Sequence, residues 1–131
     1  MEPSTRSQEL NQITLKFLNA FNQGDVDAIM SFFSADAVYE ELHGKKNEGT
    51  EAIRKSFEKL FSGKFGKIQF DENDTFIDPS ENKVMSSWDL SIDMDGTRKS
   101  MSGLDLLHFK GNLITFKGTF VKAVEALYKA K

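Results

Sequence analysis

The sequence predicts an α+β domain: helices first, then a curved, mostly antiparallel sheet with the helices on one face. Three observations point there. Apolar residues recur at helical spacing as far as Phe61. From Lys67 onward the period becomes twofold. The turn pairs Asp95-Gly96 and Gly111-Asn112 then separate long alternating runs, as in a meander of hairpins. Helices gathered before a run of strands define this class, and a curved sheet with few helices leaves a cone-shaped cavity between the layers.

Each element has its own local reason. Ser4–Gln23 reads as a helix that starts after Pro3, with Thr5-x-x-Gln8 as a capping box and Leu10, Ile13, Phe17, Leu18 and Phe21 as its apolar stripe. Gly24 suits the end of that helix, and Asp25 caps a second one over Val26–Phe33. Ala37–Leu42 reads as a strand, and His43–Gly49 as a turn or short hairpin. Thr50 opens a third helix that turns Ile53, Phe57, Leu60 and Phe61 to one side and stops at Gly63. Strands follow over Ile68–Ile77, Val84–Met94, Thr97–Phe109 and Leu113–Val121, with a short terminal helix over Lys122–Lys129.

Composition narrows the function. The 131 residues suit one domain, 1–131, able to bury a core without staples. With no cysteine there is no disulfide, thiol nucleophile or thiolate metal site. The net charge of −3, with scattered Lys and Arg, argues against nucleic acid. No apolar run is long enough for a membrane span, and the polar first residues lack a secretory core, so a cytoplasmic setting is expected. Two histidines among scattered carboxylates do not make a metal-ligand spacing, so neither metal nor cofactor is expected. Twelve Phe against two Tyr and one Trp suit a core or the walls of an apolar pocket.

Two carboxylates stand out. Asp105 lies alone inside Ser102–Phe109, on the strand face of Met101, Gly103, Leu107 and Phe109. Such a group either faces a pocket, paired or protonated, or sits on an ordinary exposed edge. Glu41 shares a face with Tyr39, whereas Glu40 shares the other with Val38 and Leu42; a one-residue slip exchanges the two glutamates. His43 is a turn residue near the same mouth, and His108 has the opposite parity to Asp105.

The passages FLNAFNQGDVDAIMSFFSADAVYEE, GTEAIRKSF and GLDLLHFKGNLITFKGTF resemble the NTF2-like superfamily over nearly the whole chain. Within it they most resemble the SnoaL-like polyketide cyclases and ketosteroid isomerases. The resemblance implies a cone of three helices on the sheet. It places Glu41 at the isomerases' base position and Asp105 at the position of a neutral acid that donates to an oxyanion. Phe17 falls where those enzymes carry a tyrosine, so that hydroxyl is missing. The Asp-Arg-Asp set of limonene-epoxide hydrolases is not matched, because Arg6, Arg54 and Arg98 fall elsewhere. The resemblance implies an apolar, cyclic carbonyl ligand walled by Phe17, Phe21, Phe33, Tyr39, Phe57, Trp88, Met101, Phe116 and Phe120. The implied activity is proton transfer next to the carbonyl; the alternative is a non-catalytic binding or association module. If Asp105 points in, Leu104 and Leu106 point out beside Leu113 and Val121, which predicts a homodimer through the outer sheet face.

Overall fold

The structure is a computed structural model that describes residues 4–123. Three helices, α1 (Thr5–Gln23), α2 (Val26–Met30) and α3 (Thr50–Leu60), pack on six strands. The strands are β1 (Phe33–Glu40), β2 (Lys46–Glu48), β3 (Gln69–Asp78), β4 (Lys83–Met94), β5 (Thr97–Lys110) and β6 (Leu113–Val121). The sheet is open, in the order β2-β1-β6-β5-β4-β3, and every pairing is antiparallel except β1 with β6. This is the α+β arrangement of helices on a mostly antiparallel sheet expected from the sequence.

Local chemistry explains the helix limits. The cap of α1 is Ser4, whose side chain accepts from the Ser7 amide at 3.0 Å, one residue before the expected Thr5. Gly24 ends the helix at φ 64°, a left-handed position that suits glycine. The Asp25 carboxylate then caps α2 through the Ala28 amide at 3.0 Å. Helix α2 stops at Met30, earlier than expected, because Phe33 already belongs to β1. The Ile114 amide donates to the Phe32 carbonyl at 2.7 Å and fastens the chain to β6 there. The segment His43–Gly49 forms the expected short hairpin, with β2 on β1. The terminal helix expected over Lys122–Lys129 falls, beyond residue 123, outside the described residues.

The core lies between the helices and the inner sheet face. Phe17 meets Phe21, Phe32 and Phe33 edge-on at 5.0–5.6 Å between ring centroids. Phe57 stacks on Tyr39 at 5.0 Å. Asn22 ties α1 to β3 by donating to the Phe70 carbonyl at 2.9 Å and accepting from its amide at 2.7 Å. None of the described helices is long and apolar enough to cross a membrane.

Candidate functional site: a buried ion pair at the end of an aromatic cavity

Strand register assembles the site. Asp105 on β5 lies opposite Ser86 on β4 and Thr119 on β6. Lys117 on β6 lies opposite Leu107 on β5 and Tyr39 on β1. Asp105, Lys117 and Thr119 therefore share the inner face as close neighbours across two strands. Lys117 is only 4% exposed and Asp105 7%.

A lysine so deep needs a counter-charge. Its Nζ donates to Asp105 Oδ1 at 3.1 Å and to Thr119 Oγ1 at 2.7 Å, and it lies 4.4 Å from the centre of the Tyr39 ring. The Thr119 hydroxyl in turn donates to the same Asp105 oxygen at 2.7 Å. Burial alone pulls the Lys117 ammonium downward in pKa. The Asp105 carboxylate, with smaller contributions from Tyr39 and Glu41, outweighs this and holds it above its ordinary value. The outcome is a carboxylate–ammonium pair with one side open. Oδ1 is taken twice, while no described residue donates to Oδ2.

The pair forms part of the wall of a cavity of about 90 Å³ lined by Phe17, Leu18, Phe21, Tyr39, Leu42, Leu60, Phe70, Trp88, Leu90, Asp105, Lys117, Thr119 and Val121. Leu42 is largely exposed and marks the mouth. A wider groove of about 510 Å³ lies between α2 and α3, but its Arg54 and Asp27 satisfy each other at 2.7 Å and no residue expected from the sequence lines it.

The structure gathers Phe17, Phe21, Tyr39, Trp88 and Asp105 on the cavity wall. Phe33 and Phe57 are buried in the core behind it, and Met101 is half-buried on β5. Glu41 is half-buried just past the end of β1, where its Oε2 accepts from the Asn47 amide group at 2.9 Å. Asn47 pairs with inward-facing Tyr39, and Glu41 itself is not among the residues that line the cavity. Glu40 pairs with Gly118 in register, on the outer side. His43 is exposed.

Two expected wall residues stand elsewhere. Phe116 packs against His108 on the outer sheet face, at 4.9 Å between centroids, and Phe120 is 57% exposed. Val121, expected outside, lines the cavity instead. The physical reason is a β-bulge. Pairing between β5 and β6 slips by one residue between His108 and Phe109, and the slip reverses which β6 residues point inward. Lys117 and Thr119, not singled out from the sequence, take the inner places. Asp105 also has a neighbour that the sequence did not announce, the Lys117 ammonium at 3.1 Å. No arginine lines the cavity.

Among the described residues no group of His, Asp and Glu could hold a metal ion. The arrangement can instead bind an apolar body against the rings, offer one carboxylate oxygen to a hydrogen on it, and place a positive charge beside any negative charge that forms.

Comparisons with known proteins agree with this architecture. A Xanthomonas campestris protein assigned as a polyketide cyclase superposes with a TM-score of 0.80 at 16% identity, covering 88% of this chain and 92% of that one. A Catenulispora acidiphila protein with a ketosteroid isomerase-like fold, solved with trimethylamine, gives 0.74 at 17%, covering 82% and 83%. An epoxide hydrolase of the limonene-epoxide hydrolase-like kind from M. tuberculosis gives 0.76 at 16%, covering 88% and 84%. These likenesses are of fold. No curated protein sequence matches the chain. The family described as SnoaL-like domain matches residues 14–116, and the chain belongs to that family.

Proposed function

We propose that the protein binds a small, apolar, cyclic carbonyl compound and moves a proton on the carbon next to the carbonyl. The observation that carries this is Asp105, a buried carboxylate on the cavity wall with one oxygen pinned by Lys117 and Thr119 and no described donor on the other. In the proposed step the α C–H bond breaks and its proton forms an O–H bond on Oδ2. The bonding pair enters the enolate. Return of the proton to carbon restores the carboxylate. Negative charge thus passes from Asp105 to the enolate oxygen, and the Lys117 ammonium stays close to it throughout. Glu41, half-buried beyond the cavity lining, is the second carboxylate proposed for exchange of protons with solvent.

Size limits the ligand. An apolar cavity of about 150 Å³ accepts benzene, so the ≈ 90 Å³ present here suits a compact ring, and anything larger must displace Leu42 at the mouth. Exchange of the α-hydrogens of cyclopentanone for deuterium tests the reading. The protein should accelerate exchange, and Asp105→Asn should remove the acceleration. Binding without accelerated exchange would instead mark a ligand-binding module, and no binding at all would end the proposal.

We also propose a twofold homodimer through the outer sheet face. Phe76 is 67% exposed there, beside Met85, Leu106, Leu104 and Phe120 on adjacent strands. A monomer seldom leaves such a patch open. Burial, reinforced by Lys83, lowers the His108 pKa, which keeps that face free of a histidine charge near neutral pH. Sedimentation should give the dimer mass at micromolar concentration and the monomer mass for Leu106→Lys. A monomeric wild type would refute it.

A further inference from the structure

Trp88 is the sole tryptophan of the chain and is 2% exposed, yet its indole Nε1–H has no hydrogen-bond partner. Buried donors are nearly always paired, so an orphan calls for a cause. The indole is firmly seated. Phe70 meets it edge-on at 5.0 Å between centroids. Its far edge lies over Gly103, directly opposite on β5, where an added Cβ would come within 2.7 Å of the indole Cη2. The missing side chain at 103 is what lets the ring lie there.

Asp105 stands two residues along β5 from Gly103 on the same face, diagonal to Trp88 and within reach of so large a side chain. Both residues line the cavity. The site thus holds a fully buried donor with no partner, on Trp88, and an acceptor to which no described residue donates, Asp105 Oδ2. Lys117 Nζ and Thr119 Oγ1 are engaged with each other and with Asp105 Oδ1.

We propose that the Trp88 indole N–H is a ligand-binding donor that takes the carbonyl oxygen, and so determines specificity. The cavity then selects a compound with an acceptor oxygen for Trp88 and an adjacent acidic hydrogen for Asp105. An enolisable ketone has both; a hydrocarbon lacks the acceptor, and a carboxylate is repelled by Asp105. This inference rests on the proton-transfer reading above and names the group that would hold the oxygen during it.

The test uses the full-length ¹⁵N-labelled protein, in which one indole N–H signal belongs to Trp88. Cyclopentanone is titrated beside methylenecyclopentane, which has the same shape and no acceptor oxygen. The ketone should move the indole proton downfield, and the hydrocarbon should not. Trp88→Phe keeps an aromatic ring and loses the donor; it should weaken ketone binding roughly 10-fold, the size of one hydrogen bond, and spare the hydrocarbon. The wild-type indole shift needs no variant, so misfolding of Trp88→Phe cannot obscure the answer. If the ketone perturbs Lys117 and Thr119 but leaves the indole signal in place, the donor role is overturned while the proton-transfer reading stands. If the ketone perturbs no cavity residue, both fall.

Discussion

Strands β4 and β6 line the same cavity, but only one of them keeps its alternation. Along β4, Val84, Ser86, Trp88, Leu90 and Ile92 are buried in strict twofold order. Along β6 the inward residues are Ile114, Lys117, Thr119 and Val121, with a step of three where Thr115 is inserted. The Thr115 hydroxyl donates to the His108 carbonyl at 3.3 Å beside the bulge. Continued alternation from Ile114 would have put Phe116, Gly118 and Phe120 inside and left Asp105 facing no cation. The comparison teaches that a single bulge can convert a greasy strand face into the polar end of a site.

Mutations can break or sharpen that contrast. The largest effect should come from Lys117→Met, which leaves the Asp105 charge buried and unpaired. Loss of one partner of a buried pair costs on the order of 3–5 kcal/mol, readable by urea unfolding. This difference should depend on pH in a definite direction. The folded-state pKa of Lys117 is raised, so its contribution is complete below the unfolded value of about 10.4. Above that value the unfolded chain releases the proton first, stability falls as pH rises through the folded pKa, and wild type and variant should converge. A gap that widens in alkali would contradict the pairing.

Gly103→Ala comes next. The added methyl would strike the Phe120 carbonyl and the Trp88 ring. Overpacking of this kind costs about 1–3 kcal/mol, and the Trp88 fluorescence should change with it. Thr119→Val should cost less, about 1–2 kcal/mol, through the lost hydroxyl that bridges Lys117 and Asp105. Phe120→Ser should be the mildest. Continued alternation would make it a core deletion, whereas an exposed Phe120 predicts a change within about 0.5 kcal/mol in monomer stability. Thermal melts of a monomeric background would separate the two.

The same contrast explains what could be read from the chain. β4 was legible because nothing interrupts its period, and α1 because Leu10, Phe17 and Phe21 keep helical spacing to the glycine stop. The start of β1 is not legible, because Ser34, Ala35 and Asp36 have poor strand propensity and lie in an irregularity between the Phe33 and Val38 pairings with β6. Asp105 and Glu41 were visible as carboxylates in strand patterns. Lys117 was not, because its parity is set by a slip that no turn residue announces. A signal was nonetheless present in LITFKGTFV, where a lone lysine interrupts an apolar strand next to one carrying a lone aspartate. Two isolated opposite charges on adjacent apolar strands point to each other.

The central claim is that the bulge in β6 turns Lys117 inward to pair with Asp105. A double-mutant cycle of Lys117→Met and Asp105→Leu, read by equilibrium unfolding at pH 7, tests it most directly. Each single variant should be strongly destabilised, and the double variant should recover most of the loss, because no charge is then left buried alone. Strictly additive effects would show that the two side chains do not meet.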